Sequence, residues 1–328
     1  MSGYLIRRLF ALIPVLLWIT VISFGIIHLA PGKPTDALTQ FNPKVSLEAR
    51  QRMEQLYGLD QPVHVQYGRW LGRVARLDFG RSFLDDRPVM EKIAERLPIT
   101  LTINVLALFL VFGIAVPLGV RAAVRPGGLF DRVTTVLVFI GYSMPSFWLA
   151  LLGMAFFGVI LRWLPVSGLH ALDAEYWPWW RQVLDTGWHL ILPLAVTAVV
   201  SLAGLSRYAR ASLLDVLRQD YIRTARAKGL PQDRILFHHG LRNGLLPIIT
   251  ILGLSLPDLI GGSVIAETIF SIPGMGRLFY EAVMARDYPV IMALVTVGAF
   301  LTLLGNFLAD LAYAAADPRI RVGGAQQG

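Results

Sequence analysis

Residues 220–247 read DYIRTARAKGLPQDRILFHHGLRNGLLP. They lie between two long apolar runs, yet Arg223, Arg226, Lys228, Arg234 and Arg242 make them basic. Gly229 is placed to stop a first helix at about Lys228, and Pro231 stands just beyond it. Tyr221, Ala225 and Gly229 recur at i, i+4 and i+8 and so share a face that narrows to small residues. Arg223, Thr224, Arg226 and Lys228 take the other faces. After Pro231, Phe237, Leu241 and Leu245 form the apolar stripe of a second helix. A solvated loop needs no such stripes. The spacing predicts a structured docking element, with small and apolar faces for packing and a basic rim for steering.

What flanks this element sets the fold class. Of the 328 residues, 55% are hydrophobic and 16% charged, and the mean hydropathy is +0.57. Soluble domains carry about 25% charged residues, so the apolar excess points to lipid. A membrane-crossing helix needs about 20 apolar residues. Six runs qualify or nearly do: Leu9–Pro31, Pro98–Val120, Val133–Leu161, Leu190–Ser206, Leu245–Ala266 and Pro289–Ala309. The first is longer than a signal-peptide core and lacks a cleavage pattern, so it reads as a retained span. The third is overlong and carries Pro145, which predicts a tilt or kink. The fourth is short. The fifth is interrupted by Pro257 and the pair Gly261–Gly262, and such breaks survive at membrane depth only where they line a cavity or pack in protein. There is no cysteine, which removes disulfides and thiolate metal sites.

Charge predicts orientation. With the N-terminus inside, the inner segments 1–8, 121–132, 207–244 and 310–328 hold 15 Lys or Arg against six Asp or Glu. The outer segments hold 15 of each. The positive-inside bias therefore puts both termini in the cytoplasm. The net charge of +8 is then a topological signal, and no nucleic-acid partner is expected. Residues 32–97 are rich in pattern. Ser46 is placed as an N-cap with Glu48 in the first turn and Gly58 as C-cap, and Val63, Tyr67, Trp70, Leu71, Val74 and Leu77 recur at helical spacing. The expectation is an all-α polytopic membrane protein of six transmembrane helices. Segment 1–31 is the first span, 32–97 a helical external insert, 98–312 the transmembrane core with its cytosolic helix-turn-helix at about 207–246, and 313–328 a cytosolic tail.

The stretches DYIRTARAKGL and LRNGLLP, with YGLDQPVHVQYGRWL, DFGRSF, RLPITL and ETIFSIPGMGRLFYEAVMARDYPV, resemble the dipeptide/oligopeptide branch of ABC importer permeases. The resemblance is to the first of two subunit types, the one with a large external insert. The general coupling-loop pattern Glu-Ala-Ala-x-x-x-Gly falls on Arg223, Thr224, Ala225 and Gly229, of which only Ala225 and Gly229 match it. The resemblance implies a pore formed with a second homologous permease, two cytosolic ABC ATPase subunits gripping the coupling loops, and an external solute-binding protein that delivers peptide. It implies coupling roles for Tyr221, Arg223, Thr224, Ala225, Arg226 and Gly229, and residence in a bacterial inner membrane. Nickel chelates, glutathione and other small solutes are carried by close relatives in that family and stay open as cargo. The chain has no Gly-x-x-x-x-Gly-Lys-Ser/Thr phosphate loop. ATP and Mg are thus expected on the partner subunits and no cofactor on this chain.

Asp258 is the only charged residue inside the six runs, where an acid costs about 2.5–3.5 kcal/mol. It reads either as a pore-facing acid or as a structural acid bound to backbone freed by Pro257. Glu267 and Arg277 flank TIFSIPGMG, which reads as an external gate or as a packed loop. His238 and His239 are adjacent, face different sides of a helix and suit no shared metal. Arg207 and Arg210 read as anchors at the inner membrane edge, and Trp177, Trp179 and Trp180 as an interfacial belt. An intramembrane aspartyl protease would need two facing acids. Asp258 and Asp310 are the only pair, Asp310 sits at a span edge, and the Gly-x-Gly-Asp signature is missing. A transporter working alone would show paired broken helices, and only the fifth run is clearly broken.

Overall fold

The computed structural model describes residues 2–29, 55, 58–255 and 258–316. Among these the chain is helical, and its one β-type pairing is the isolated bridge between Arg81 and Pro88. The helices are α1 (Ser2–Leu29), α2 (Val63–Val74), α3 (Val89–Val124), α4 (Leu129–Ser143), α5 (Ser146–Gly153, continued by a π-helical turn Met154–Ile160) and α6 (Trp179–Leu217). They continue with α7 (Asp220–Ala227), α8 (Gln232–Leu254), α9 (Asp258–Gly261), α10 (Val264–Ile269), α11 (Met275–Ala285) and α12 (Tyr288–Ala316). Five helices are long and apolar enough to cross a membrane, and α4 with α5 makes a sixth span if the bent pair is counted as one. The expected helix beginning near Ser46 falls outside the described residues.

The third, fourth and fifth spans differ from their apolar runs for local reasons. Ser143 and Ser146 bound a corner at which α4 and α5 diverge by 101°. Met144 is extended (φ −89°, ψ 130°), because Pro145 crowds its predecessor out of the helical region. The fourth run is not short as a helix. α6 has 39 residues, about 58 Å at 1.5 Å per residue, against a hydrocarbon core of about 30 Å. Its charged ends were invisible to an apolar count, yet Arg207, Arg210 and Asp215 continue the helix. The fifth run is helical only to Leu254, then resumes as α9 and α10 around Gly262, which has φ +64°.

The chain forms two compact units that do not follow the sequential segments. The first comprises Met1–Thr100, Ile260–Val264 and Pro273–Gly328, and the second Leu101–Leu259 and Ile265–Ile272. In the first, α1 pairs with α12 and α2 lies against α1. Phe24, Trp70 and Met292 are buried together there, and the Thr20 and Tyr67 hydroxyls meet at 3.0 Å. A second cluster joins Phe79, Val89 and Ile93 to Met275, Leu278, Ala282 and Val290. Beside it the buried Asp287 carboxylate accepts the Ser82 hydroxyl and the Phe83 N–H (3.0 Å), which ties the DFGRSF turn to the start of α12. Lys92 Nζ donates to Ser82 Oγ (3.1 Å) and to Asp85 (2.9 Å). Burial alone would raise the Asp85 carboxyl, but hydrogen bonds from Lys92 and the Arg87 N–H hold it below its usual value.

In the second unit α3, α6 and α8 pack through Val111, Ala115, Ala198, Leu205, Ala209 and Ile248. Gly119 sets the closest approach: a Cβ there would overlap the Ser206 carbonyl oxygen and come within 2.8 Å of Ala209 Cβ. Across α4 and α6, Arg210 donates to both Asp131 oxygens (Nε to Oδ1 2.6 Å, Nη2 to Oδ2 2.8 Å). The Gly127 N–H completes the Asp131 site at 2.8 Å. Arg210 therefore does more than anchor a membrane edge. It closes the turn that starts α4, a partnership that sequence spacing could not pair with residue 131.

Candidate functional site

The docking element is built from the end of α6, α7 and the start of α8, all in the second unit. Asp220 stands in the first turn of α7, where a carboxylate favours the helix N-terminus. The helix stops by a paired set of turns: Leu230 N–H to Ala225 O (3.3 Å) and Gly229 N–H to Arg226 O (2.9 Å). Gly229 is left-handed at φ +76°, the conformation such a stop requires. A side chain there would meet open space, so inside this chain glycine is needed for the turn and not for room.

The interior of the element is Ile222, Ala225 and Ile235, with Leu230 against them. Ala225 was expected on the docking face with Tyr221, and this is corrected. Ala225 is buried in the element's own core, because Ile222 and Ile235 supply an apolar pocket that the i, i+4 pattern from Tyr221 ignores. Tyr221 is 39% exposed, and Arg223, Thr224, Arg226, Lys228 and Gly229 are exposed around it. The Tyr221 hydroxyl accepts a hydrogen bond from Asn243 Nδ2 at 2.9 Å. The expected stripe Phe237, Leu241, Leu245 is also corrected. Residues Ile235–Leu241 wind as a π-helix, whose i→i+5 bonding turns Phe237 outward, to 64% exposed, and buries Ile235 and Gly240. Tyr221 and Arg223 of α7, Lys228 just beyond it and Phe237 of α8 are thus all exposed. The element is seated on α6, where Ser212 Oγ donates to Gly244 O (2.8 Å) and Leu213 packs against Gly240 and Gly244. The start of α8 thereby joins α7 to the end of α6.

A cavity of about 430 Å³ opens between α3, α6 and α8. Asn104, Thr197, Ser201, Tyr208 and Ser255 give it polar groups, Val111 and Phe112 apolar ones, and no charged residue lines it among the described residues. Asn104 Nδ2 also donates to Leu259 O at 2.7 Å, so α3 holds a carbonyl of the broken fifth span. The side chain of Asp258 lies outside the described residues. Glu267 is buried in α10 and is not among the residues lining the cavity. Its carbonyl accepts the Ile272 N–H at 2.8 Å, and Phe270 and Ile272 are buried, so the Thr268–Ile272 turn is packed in its surroundings. Arg277 pairs with Glu281 at 2.8 Å along α11. His238 and His239 stand with their rings perpendicular, and no group of three metal-ligating side chains gathers among the described residues. Trp179 and Trp180 are exposed, while Trp177 lies under the Arg181 guanidinium at 3.8 Å.

Two family models cover nearly the whole chain. Residues 115–322 match the "Binding-protein-dependent transport system inner membrane component", and residues 1–104 match the N-terminal part of the membrane component of such systems. The chain is 46% identical over 321 residues to the oligopeptide transport system permease protein AppB of Bacillus subtilis, covering 98% of this chain and 99% of the relative. It is 38% identical to the dipeptide permease DppB of Alkalihalophilus pseudofirmus (98% and 100% covered) and 37% to the di/tripeptide permease DppB of Pseudomonas aeruginosa (98% and 99% covered). In fold it is similar to a chain of the MetNI methionine ABC transporter in its inward-facing form, with a TM-score of 0.54 at 20% identity, covering 70% of this chain and 97% of that one. With apolar helices for five to six spans, the chain is a multi-pass membrane protein and belongs to the family of inner-membrane components of binding-protein-dependent transport systems.

Proposed function

We propose that this chain is one of two permease subunits of an ATP-driven importer of dipeptides and oligopeptides. The observation that carries the reading is the 46% identity to an oligopeptide permease over 98% of the chain. The uncharged, mostly apolar cavity with its few hydroxyl and amide groups supports it, since peptides of varied sequence share only their main chain. The outward surface around Tyr221, Arg223, Thr224, Arg226, Lys228, Gly229 and Phe237 meets an ATPase subunit on the cytoplasmic side. ATP and Mg sit on that partner, and an external binding protein delivers the peptide. Closure of the ATPases moves α7, and α6 and α8 carry the motion to the cavity. Both termini are cytoplasmic and residues 32–97 external, by the excess of Arg and Lys on the inner segments. The test is uptake of labelled dipeptides and tetrapeptides by cells lacking this gene, with and without its return on a plasmid. Uptake that depends on the chain is expected. Unchanged peptide uptake, with loss of another solute's uptake, would reject the peptide assignment.

A further inference from the structure

We propose that the first unit holds a binding site for the phosphate headgroup of an anionic phospholipid, formed by His28, Gln66, Arg69, Trp70, Arg73 and Arg76. These residues line a cavity of about 570 Å³, within the usual range of about 300–1,000 Å³ for small-molecule sites. Arg69 and Arg73 stand at i and i+4 on α2, so they share a face, and Arg76 follows in the turn just beyond the helix. None of them forms an ion pair among the described residues, and no Asp or Glu lines the cavity among them. Like charges on one helix face repel, and an anion relieves that repulsion.

Trp70, one of the lining residues, also carries an unmatched donor. Trp70 is only 6% exposed, and its Nε1–H finds no acceptor among the described residues, which buried donors seldom tolerate. The His28 ring also lines the cavity. Its Nδ1 is 2.9 Å from the Phe24 carbonyl, and its Nε2 is 3.2 Å from Gln66 Oε1. The Gln66 amide is fixed in that orientation because its Nε2 donates to the carbonyls of Leu59 (3.3 Å) and Gln61 (2.8 Å). Both imidazole nitrogens therefore lie within hydrogen-bond reach of an oxygen atom, which fixes the ring at the cavity wall.

The other wall decides between a lipid and a free anion. Phe24 and Ile27 of α1 and Met292 of α12 line it, and α1 displays Phe10, Trp18 and Ile26 on its outer surface. A phosphodiester satisfies guanidinium forks with two parallel hydrogen bonds, and its acyl chains continue along α1. A free phosphate would leave the apolar wall uncovered.

The test uses the full-length chain in its purified transporter complex, stripped of lipid and re-exposed to phosphatidylglycerol, phosphatidylcholine or inorganic phosphate. Native mass spectrometry counts retained lipid, and thermal melting reads stabilisation. Saturable retention of phosphatidylglycerol over phosphatidylcholine is expected. It should fall at least tenfold in the triple variant Arg69→Gln, Arg73→Gln, Arg76→Gln. In Trp70→Phe, which keeps the ring but removes the donor, it should fall about tenfold, as for one hydrogen bond to a charged group. Equal retention by wild type and Trp70→Phe, with normal helix content, overturns the site. Inorganic phosphate matching the thermal shift of phosphatidylglycerol overturns the lipid assignment in favour of a free-anion site.

Discussion

Replacing Ile222 by Ala and, separately, Tyr221 by Ala should uncouple two properties of neighbouring residues. Ile222 is 0% exposed and holds α7 to Ile235 and Leu230. Truncating a buried Ile to Ala costs about 2–5 kcal/mol. α7 has only 8 residues, far below the ~12–15 at which an isolated helix becomes even marginal. The loss therefore falls on the local order of the element, and its open state should rise by roughly 30-fold to several thousand-fold at 1.4 kcal/mol per decade. Tyr221 is partly exposed, and its loss removes the 2.9 Å bond from Asn243, about 0.5–1.5 kcal/mol. Hydrogen exchange of the amide of Leu230, bonded to Ala225 O, reads the order of the element. Co-purification of the ATPase subunits reads docking. Ile222→Ala should accelerate exchange and lose the ATPase together, whereas Tyr221→Ala should keep slow exchange and weaken capture. Unchanged exchange in Ile222→Ala would refute the internal core, and full capture by Tyr221→Ala would refute the outward face as the docking surface.

Two further outcomes follow from the geometry. Removing Arg210 leaves the buried Asp131 carboxylate with the Gly127 N–H as its remaining described partner; Arg210→Ala should cost about 3 kcal/mol, and Asp131→Asn about 1–2 kcal/mol because a neutral side chain remains. Denaturant midpoints of the two variants check this, and equal losses would mean that the pair carries no buried charge. Because the chain has no cysteine, Lys228→Cys and Arg76→Cys give single labels, and in intact cells an impermeant maleimide should reach the second but not the first; labelling of the first from outside would reverse the orientation.

The parts of the fold legible in the sequence were those set by long apolar runs. Leu9–Pro31 and Pro289–Ala309 are recognisable as α1 and α12, and the broken fifth run announced itself through Pro257 and Gly261–Gly262. Helix lengths were not legible, since α3 and α6 continue through Arg121 and through Arg207 to Leu217. A hydropathy count stops where charge begins, but α-helical hydrogen bonding does not. The corner at Pro145 was expected as a kink and is a turn of 101°. One proline restricts Met144 to extended backbone, and extended backbone reverses direction far more than a lost hydrogen bond does. The pairing of α1 with α12 and of Asp287 with Ser82 joins residues more than 200 positions apart, and no local period carries that information.

The docking element shows why its stop was legible while its faces were not. Gly229 followed by Pro231 is a local signal, and the structure uses both as a helix stop and a restart. Which face turns outward depends on what is packed inside. Ile222 had no place in a pattern drawn from Tyr221, yet it is the fully buried residue. With Ile222 and Ala225 turned in, the face left for a partner is displaced around α7 toward Tyr221, Thr224 and Lys228. The π-helical turn has the same effect on the second helix, since one extra residue per turn moves Phe237 out of the stripe predicted from a 3.6-residue period. Together the two shifts leave Tyr221 and Phe237 exposed on the element, with Arg223, Arg226 and Lys228 exposed as well. An interface with an apolar centre and a charged rim has the anatomy of a protein-binding surface. On the proposed docking, Arg223, paired with the exposed Asp220 at 3.3 Å, is expected to act through salt-sensitive steering, and the buried pair Ile222–Ala225 to keep the surface in shape.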